Sequence, residues 1–418
     1  MTTRYLLIFQ IVILISACYS TEIVTQDNQD TGIKEGDCLK IPVAYMSPDR
    51  EAIPGESINL YITPHPLVCR GEILAYEWSQ ISGPTVHLTN NSFDSTSFVV
   101  PPEYEDIILR VRIISKTGKY EDTVKIKVVD KLKNIAPIAD ADGDVILPDR
   151  YNYKSSAYYS QGKNKAEMSY LWINPDDNQS ITISSRYTAE TEIMLTQQVT
   201  TPQIILLEVI ENELHSTRDI KLVRYNSESR RVELSPRLYP EAGIINANPG
   251  ETVELKIKAI DTYPGANIEW IQLMGEKVNL IKDGQRAFFI APNRVDEMVF
   301  IAYIQIENLF SPPVVFRVNI GNPAGIPLPV ADAGADRKAR TLSYVKLNGS
   351  NSSVGFPRKI KYNWRQVYGS SITLHDSDTA FPYFTAPRIP GKIIILLTVS
   401  DGYIESRPDS VIIDISNN

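Results

Sequence analysis

The sequence predicts an all-β chain of four tandem antiparallel β-sandwich domains, and three observations predict it. The chain's four tryptophans, Trp78, Trp172, Trp270 and Trp364, lie 94, 98 and 94 positions apart, a domain-sized period. Each repeat closes with two apolar-rich β segments separated by polar or Gly/Pro turns. Helical periodicity is almost absent, and 418 residues exceed what one hydrophobic core supports.

Alignment on the tryptophans exposes the rest of the repeat. Trp78-Ser79-Gln80-Ile81-Ser82-Gly83, Trp270-Ile271-Gln272-Leu273-Met274-Gly275 and Trp364-Arg365-Gln366-Val367-Tyr368-Gly369 all read W-x-Q-x-x-G. The glutamine shares the face of the tryptophan, where it is placed to satisfy nearby backbone groups. Downstream, the apolar-polar-apolar triplets Val86-His87-Leu88, Val278-Asn279-Leu280 and Ile372-Thr373-Leu374 have the two-residue period of a strand. Phe98, Phe289 and Phe384 each precede a proline, Pro101, Pro292 or Pro387, where a strand stops because proline has no N–H for the ladder. The closing pairs run over 107–114 and 124–129, 204–210 and 220–223, 299–306 and 314–320, and 393–399 and 411–415. One tryptophan per repeat inside an alternating strand fits a structural core pin between two sheets.

The openings alternate. Repeats 1 and 3 share Pro54-Gly55-Glu56 and Pro249-Gly250-Glu251, a turn leading into a strand. Repeats 2 and 4 open with Pro137-Ile138-Ala139-Asp140-Ala141-Asp142-Gly143-Asp144 and Pro329-Val330-Ala331-Asp332-Ala333-Gly334-Ala335-Asp336. Repeat 4 continues through Val345-Lys346-Leu347-Asn348-Gly349-Ser350, Tyr362-Asn363-Trp364 and Phe384-Thr385-Ala386-Pro387 to Leu397-Thr398-Val399-Ser400-Asp401-Gly402. In this order of segments the chain resembles the polycystic-kidney-disease (PKD) family of Ig-like domains. The resemblance implies four Ig-like, PKD-type sandwiches over 36–130, 135–225, 230–321 and 327–418. The second is the most divergent, with Asn174-Pro175-Asp176-Asp177 after its tryptophan. Short joints between domains predict a semi-extended rod on the order of 140 Å long.

The acids of the openings, Asp140, Asp142, Asp144, Asp332 and Asp336, offer hard oxygen ligands of the kind calcium takes, and solvated loop acids are the plainer reading. The resemblance adds Asp401, in the closing Asp-Gly turn, as a calcium candidate. His65, His87, His215 and His375 show no zinc-like spacing, and His65 and His87 read as turn or surface residues. No phosphate loop or nucleophile elbow appears, so no catalytic residue is assigned and the chain reads as non-enzymatic. A formal charge of −8 gives no broad attraction for phosphate backbones, which sets nucleic acid aside as a partner.

At the N-terminus Arg4 precedes an apolar run from Tyr5 to Ala17, too short to span a bilayer and suited to an export signal. Leu14-Ile15-Ser16-Ala17-Cys18 resembles the lipobox of bacterial lipoproteins, which implies a signal peptide over 1–17, lipidation of Cys18 and a polar tether over 18–35. Tyr19 rather than Asp after the cysteine favours the outer membrane by the same resemblance. Cys38 and Cys69 remain for a disulfide, worth roughly 3 kcal/mol in the chain-entropy model, with two buried thiols as the alternative. These readings converge on a cell-envelope lipoprotein acting as an adhesive scaffold for protein or polysaccharide. Alternatives are a subunit of an envelope assembly and an accessory carbohydrate-binding module. Tyr151, Tyr153, Tyr158 and Tyr159 form a candidate contact patch.

Overall fold

A computed structural model of the chain describes Leu39 and residues 41–68, 73–148, 151–176, 179–228, 232–235, 238–258, 267–306, 309–321, 328–354, 359–402 and 405–417. Cys18, Cys38 and Cys69, with the signal, tether and disulfide assigned to them, lie outside the described residues.

Each repeat is a β-sandwich with one sheet that carries the tryptophan and one that faces it. In repeat 1 the tryptophan sheet runs Arg50–Ala52, Lys119–Val128, Ile107–Ser115, Ile73–Ser82, opposite Ala44–Met46, Ser57–Pro64 and Ser95–Val99. The tryptophan sheet of repeat 2 contains Ser169–Ile173, Gln203–Glu211, Asp219–Tyr225 and Val145–Leu147, with Glu233–Leu234 added at the edge. That of repeat 3 contains Ile244–Ala247, Val314–Ile320, Asp296–Ile306 and Asn267–Met274, and that of repeat 4 Arg337–Arg340, Asp409–Ser416, Gly391–Ser400 and Lys361–Tyr368. No α-helix occurs among the described residues; the one helical turn is the 3₁₀ segment Lys165–Glu167.

The ladders are antiparallel with one systematic departure. In every repeat the short first strand of the tryptophan sheet pairs parallel to the last, as Arg50↔Ile126, Val145↔Val223, Ile244↔Arg317 and Arg337↔Ile413. All four tryptophans are buried, and each indole N–H donates to a backbone carbonyl: Phe93, Thr188, Gly284 and Thr379. That bond lets a large amphipathic ring sit in an apolar core without an orphaned donor.

W-x-Q-x-x-G is a turn device. Gln80, Gln272 and Gln366 each donate Nε2 to carbonyls of the following turn and accept the N–H of Val86, Val278 or Ile372 at 3.0 to 3.1 Å on Oε1. The ladder slips by one residue beside each glutamine, and Gly83, Gly275 and Gly369 follow at φ +92, +95 and +94. A Cβ at Gly83 or Gly369 would stand 2.3 Å from a carbonyl oxygen of the neighbouring strand, so glycine is required there. The triplets read as strands are extended segments without a ladder: their outer residues pack on the cores, and the glutamine amide supplies the bond that a partner strand would have made.

The expected rod is corrected by the packing between repeats. Strands Gln203–Glu211 and Asp296–Ile306 are buried on both faces rather than one. Ile205, Leu207 and Val209 line the core of repeat 2. Their alternates Ile204 and Leu206 join Ile271, Leu273, Val299, Ile301 and Tyr303 of repeat 3 in the apolar cluster of repeat 1. Ring contacts tie repeat 1 to repeat 3, Tyr45 to Tyr303 at 5.7 Å and His65 to Phe310 at 4.8 Å between centroids. Repeat 4 meets repeat 1 at the Pro54-Gly55 turn, where Gly55 has φ +83. A Cβ there would lie 2.8 Å from Ile394 and Val367 on the outer face of the tryptophan sheet of repeat 4. Repeat 1 is therefore a hub with the other three sandwiches packed around it.

Candidate binding surfaces

The opening acids act on the protein itself. Asp144 is 1% exposed, and its Oδ1 accepts the Leu222 N–H of its own sheet at 2.9 Å. Its Oδ2 accepts the Phe310 N–H of repeat 3 at 3.0 Å, while its own N–H donates to Phe310 O at 3.3 Å. Asp49, just before the parallel strand of repeat 1, does the same: Oδ1 takes Lys125 N–H at 2.7 Å and Oδ2 takes the His215 N–H of repeat 2 at 3.0 Å. Its N–H donates to His215 O at 3.0 Å. Both carboxylates reach a residue 166 positions ahead. In repeats 1 and 2 the carboxylate thus latches the hairpin that joins the last two strands of the next repeat.

Burial raises the Asp49 and Asp144 carboxyls from 3.8 to about 6 against the backbone donors that pull them down. An acid whose pKa is higher folded than unfolded contributes stability that is complete below the unfolded value and is lost as pH rises through the folded one. The loss between pH 4 and 7 is about 3 kcal/mol at most for each carboxyl. Glu51 and Glu208, held low by hydrogen bonds, work in the opposite sense, so the difference between two proteins is the measurement. Thermal melts from pH 4 to 7 are expected to show Asp144→Asn less stable than wild type at pH 4, with the gap narrowing toward pH 7; a gap independent of pH would contradict the assignment.

The remaining acids of repeat 2 enclose a cation of the chain's own. Lys221 is fully buried, its ammonium donates to Gly143 O, and it lies 5.0 Å from the Tyr153 ring centroid. Asp142, Asp144, Asp219 and Asp140 hold its charge against desolvation, which lowers its pKa to about 8. In repeat 4, Asp332 accepts Gly334 N–H and Asp336 accepts Ile412 N–H at 2.8 Å, while Asp401 is buried in its turn. Val411 stands there at the place of Lys221. No group of three or more His, Cys, Asp or Glu that could hold a metal occurs among the described residues.

The histidines divide. His87 and His375 are exposed, whereas His65 is 1% exposed between repeats 1 and 3 and its pKa falls to about 3 by burial and the nearby Arg224 charge. His65 opens a turn, as read, with Val68 N–H donating to its carbonyl at 2.9 Å, but it is not at the surface: the ring is an aromatic filler among Tyr45, Tyr303 and Phe310. His215 pairs with Glu208, which raises its pKa, and Arg218 bonds the same carboxylate at 2.8 Å.

Among the described residues, two clusters of aromatic rings stand at the surface outside the interfaces. On repeat 2, Tyr158 and Tyr159 meet edge to face at 5.2 Å, and Lys165 lies over the Tyr158 ring at 4.6 Å. Tyr151 is exposed as well, while the Tyr153 hydroxyl donates to Asp142 at 2.8 Å, so this tyrosine belongs to the lysine cage. On repeat 4 the facing sheet carries a column of rings, His375 on Tyr383 at 4.9 Å and Tyr383 on Tyr344 at 5.2 Å, with Lys346 over Phe381 at 4.8 Å. Tyr344 is 64% and Phe381 45% exposed. The sequence signal for this column is the polar-side alternation of Tyr344–Lys346 and Tyr383–Thr385, which the core-facing Val345 and Phe384 flank. A cleft of about 490 Å³ separates repeats 1, 3 and 4, lined by Arg50, Glu51, Arg294, Glu297, Arg365 and Arg407 among others. Glu51 is occupied there by the N–H groups of Lys133 and Asn134, and Arg50 pairs with Glu56.

No family model matches the chain, and no curated protein matches it. Among solved structures it is similar to a nucleoside hydrolase-related hypothetical protein from Saccharophagus degradans associated with carbohydrate metabolism, at 18% identity and TM-score 0.20. That match covers 24% of this chain and 35% of the other, so the chain spans about a third of that protein's length. It is similar to the PKD domain of a KIAA 1837 protein at 26% identity, covering 21% of this chain and 86% of that domain, with TM-score 0.19. A SusE-like surface located polysaccharide binding protein from Bacteroides thetaiotaomicron matches at 10% identity over 90% of this chain and 73% of the other, with TM-score 0.26.

Proposed function

We propose that the chain is a non-enzymatic binding scaffold of the bacterial cell envelope, anchored through a lipid on Cys18 and binding polysaccharide or protein through exposed aromatic faces. The observation that carries this reading is the ring column of repeat 4. Large aromatic rings beside a lysine stay in water on a face that no other repeat covers among the described residues, although the outer faces of three tryptophan sheets are consumed in packing. Aromatic rings with polar neighbours suit sugar rings and protein anchors alike.

The test is retention of the chain on a panel of immobilised envelope polysaccharides, with Tyr344→Ala/Phe381→Ala beside wild type. Removing two exposed aromatic anchors is expected to weaken retention about tenfold or more while leaving the melting midpoint within about 2 °C. Equal retention of both proteins on every surface would exclude the ring column. Membrane fractionation of Cys18→Ala, which is expected to move the chain to the soluble fraction, tests the anchor separately.

A further inference from the structure

The latches recur, and one of them is open. In each repeat the residue three beyond the partner of the tryptophan pairs with a residue on the far arm of the closing hairpin: Ile114↔Lys119, Ile210↔His215, Gln305↔Phe310 and Ser400↔Glu405. Lys119, His215, Phe310 and Glu405 are therefore equivalent. His215 is held by Asp49 and Phe310 by Asp144, through both N–H and C=O. The Glu405 carbonyl accepts the Val295 N–H of repeat 3 at 3.0 Å. Gly243, which precedes the parallel strand of repeat 3, has no carboxylate to offer. Lys119 is the fourth, and among the described residues no other repeat bonds its backbone. Ser115 N–H donates to Gly118 O, and antiparallel alternation then turns the Lys119 N–H and C=O outward from the hairpin.

The matching acceptor lies at the other end, with no hairpin over it among the described residues. Asp336 precedes the parallel strand of repeat 4 as Asp49 and Asp144 precede theirs, and its Oδ1 holds Ile412 N–H as theirs hold Lys125 and Leu222. Those two carboxylates are buried under the next hairpin, whereas Asp336 and its neighbours Ala335, Arg337 and Lys338 are exposed. Its Oδ2 takes the hydroxyl of the exposed Tyr104 at 3.1 Å.

The geometry points to a head-to-tail contact between copies of this chain, in which Asp336 of one copy latches the closing hairpin of repeat 1 at Lys119 of another. The occupant is the kind of hairpin that fills the same latch twice within the chain, and the hairpin of repeat 1 is the one left without a latch. Each copy has one donor end and one acceptor end that differ, so the contact is heterologous and propagates into open chains rather than closing as a symmetric dimer. The Tyr104 hydroxyl caps Asp336 until a hairpin displaces it.

The test is sedimentation velocity of the full chain carrying Cys18→Ala, which removes association through lipid. Dimers, trimers and longer species are expected to appear progressively with concentration. Asp336→Ala removes the acceptor and Lys119→Pro the outward N–H, and each is expected to shift association to about tenfold higher concentration or more. Lys119→Pro leaves the Ile412 bond intact, so it reports the contact even if Asp336→Ala loosens repeat 4. A mixture of the two variants, each with one intact end, is expected to stop at the dimer. Tyr104→Phe is expected to associate at lower concentration than the parent. A single monomeric species in the parent and Tyr104→Phe alike overturns the proposal. Association that ends at a dimer in the parent, or that both end variants leave unchanged, overturns it as well.

Discussion

Ile301→Asp is expected to open the cluster of repeats, lowering stability by about 4 kcal/mol and raising the radius of gyration. Ile301 lies on the outer face of its own sandwich and is 3% exposed, because that face is sealed against repeat 1. Placing a carboxylate there combines the loss of a buried aliphatic side chain with the burial of an unpaired charge, so about 4 kcal/mol is a moderate figure. Small-angle scattering gives the direct reading. A compact chain of this size has a radius of gyration of about 22 Å, and the packed repeats are expected somewhat above that. A rod of roughly 140 Å has about 40 Å, and the variant is expected to move toward it. Thr123→Asp is the comparison, since Thr123 occupies the outer face of the tryptophan sheet of repeat 1, which remains open to solvent. A change within about 0.5 kcal/mol is expected there. Equal behaviour of the two variants would mean that the sandwiches do not pack in solution.

Lys221→Met is expected to cost about 3 to 5 kcal/mol near neutral pH. The methionine fills the volume of the lysine stem, but Asp140, Asp142, Asp144 and Asp219 are left facing one another without their cation. Asp219 is already raised to about 8 by burial and by Asp140, so removal of the lysine drives these acids further toward the protonated form. The penalty is expected to shrink as pH falls from 8 to 5 and the acids take up protons, a trend that chemical denaturation at several pH values measures. Asp219→Asn in the same chain is expected to recover part of the loss. A penalty that stays constant across this range would show that only packing was lost.

The sandwich was legible because its determinants are local. A tryptophan in an alternating strand, a glutamine two positions on and a glycine at the turn all act within one repeat, and each left its mark at a fixed offset. The packing of the repeats was written more faintly. Gln203–Glu211, Asp296–Ile306 and Gly391–Ser400 are apolar on both faces, whereas Ile107–Ser115 alternates. Continuous apolar strands are buried on two sides, and that difference between repeats is the signal that distinguishes a hub from its satellites. The opening acids were legible as a pattern but not as a role. Short aspartate-rich segments suit a cation site, a solvated loop and a latch equally, and the choice depends on groups such as His215 and Phe310 that lie 166 residues away. The Lys221 cage was hidden for the same reason, since a lysine in Asp219–Tyr225 is unremarkable until the opposite opening folds around it.

The two latches also set a timetable for folding. Asp49 holds Lys125 within repeat 1, but its second carboxylate oxygen has no partner until His215 has been made, and the apolar face that repeat 1 offers to Tyr303 and Phe310 stays uncovered until nearly three quarters of the chain exists. Each sandwich closes through contacts within its own hundred or so residues, but the hub waits for segments far downstream, and such long-range closure is slow. A nascent chain therefore carries a preformed but unsealed first domain, the condition in which exposed apolar surface invites aggregation or a protective holdase.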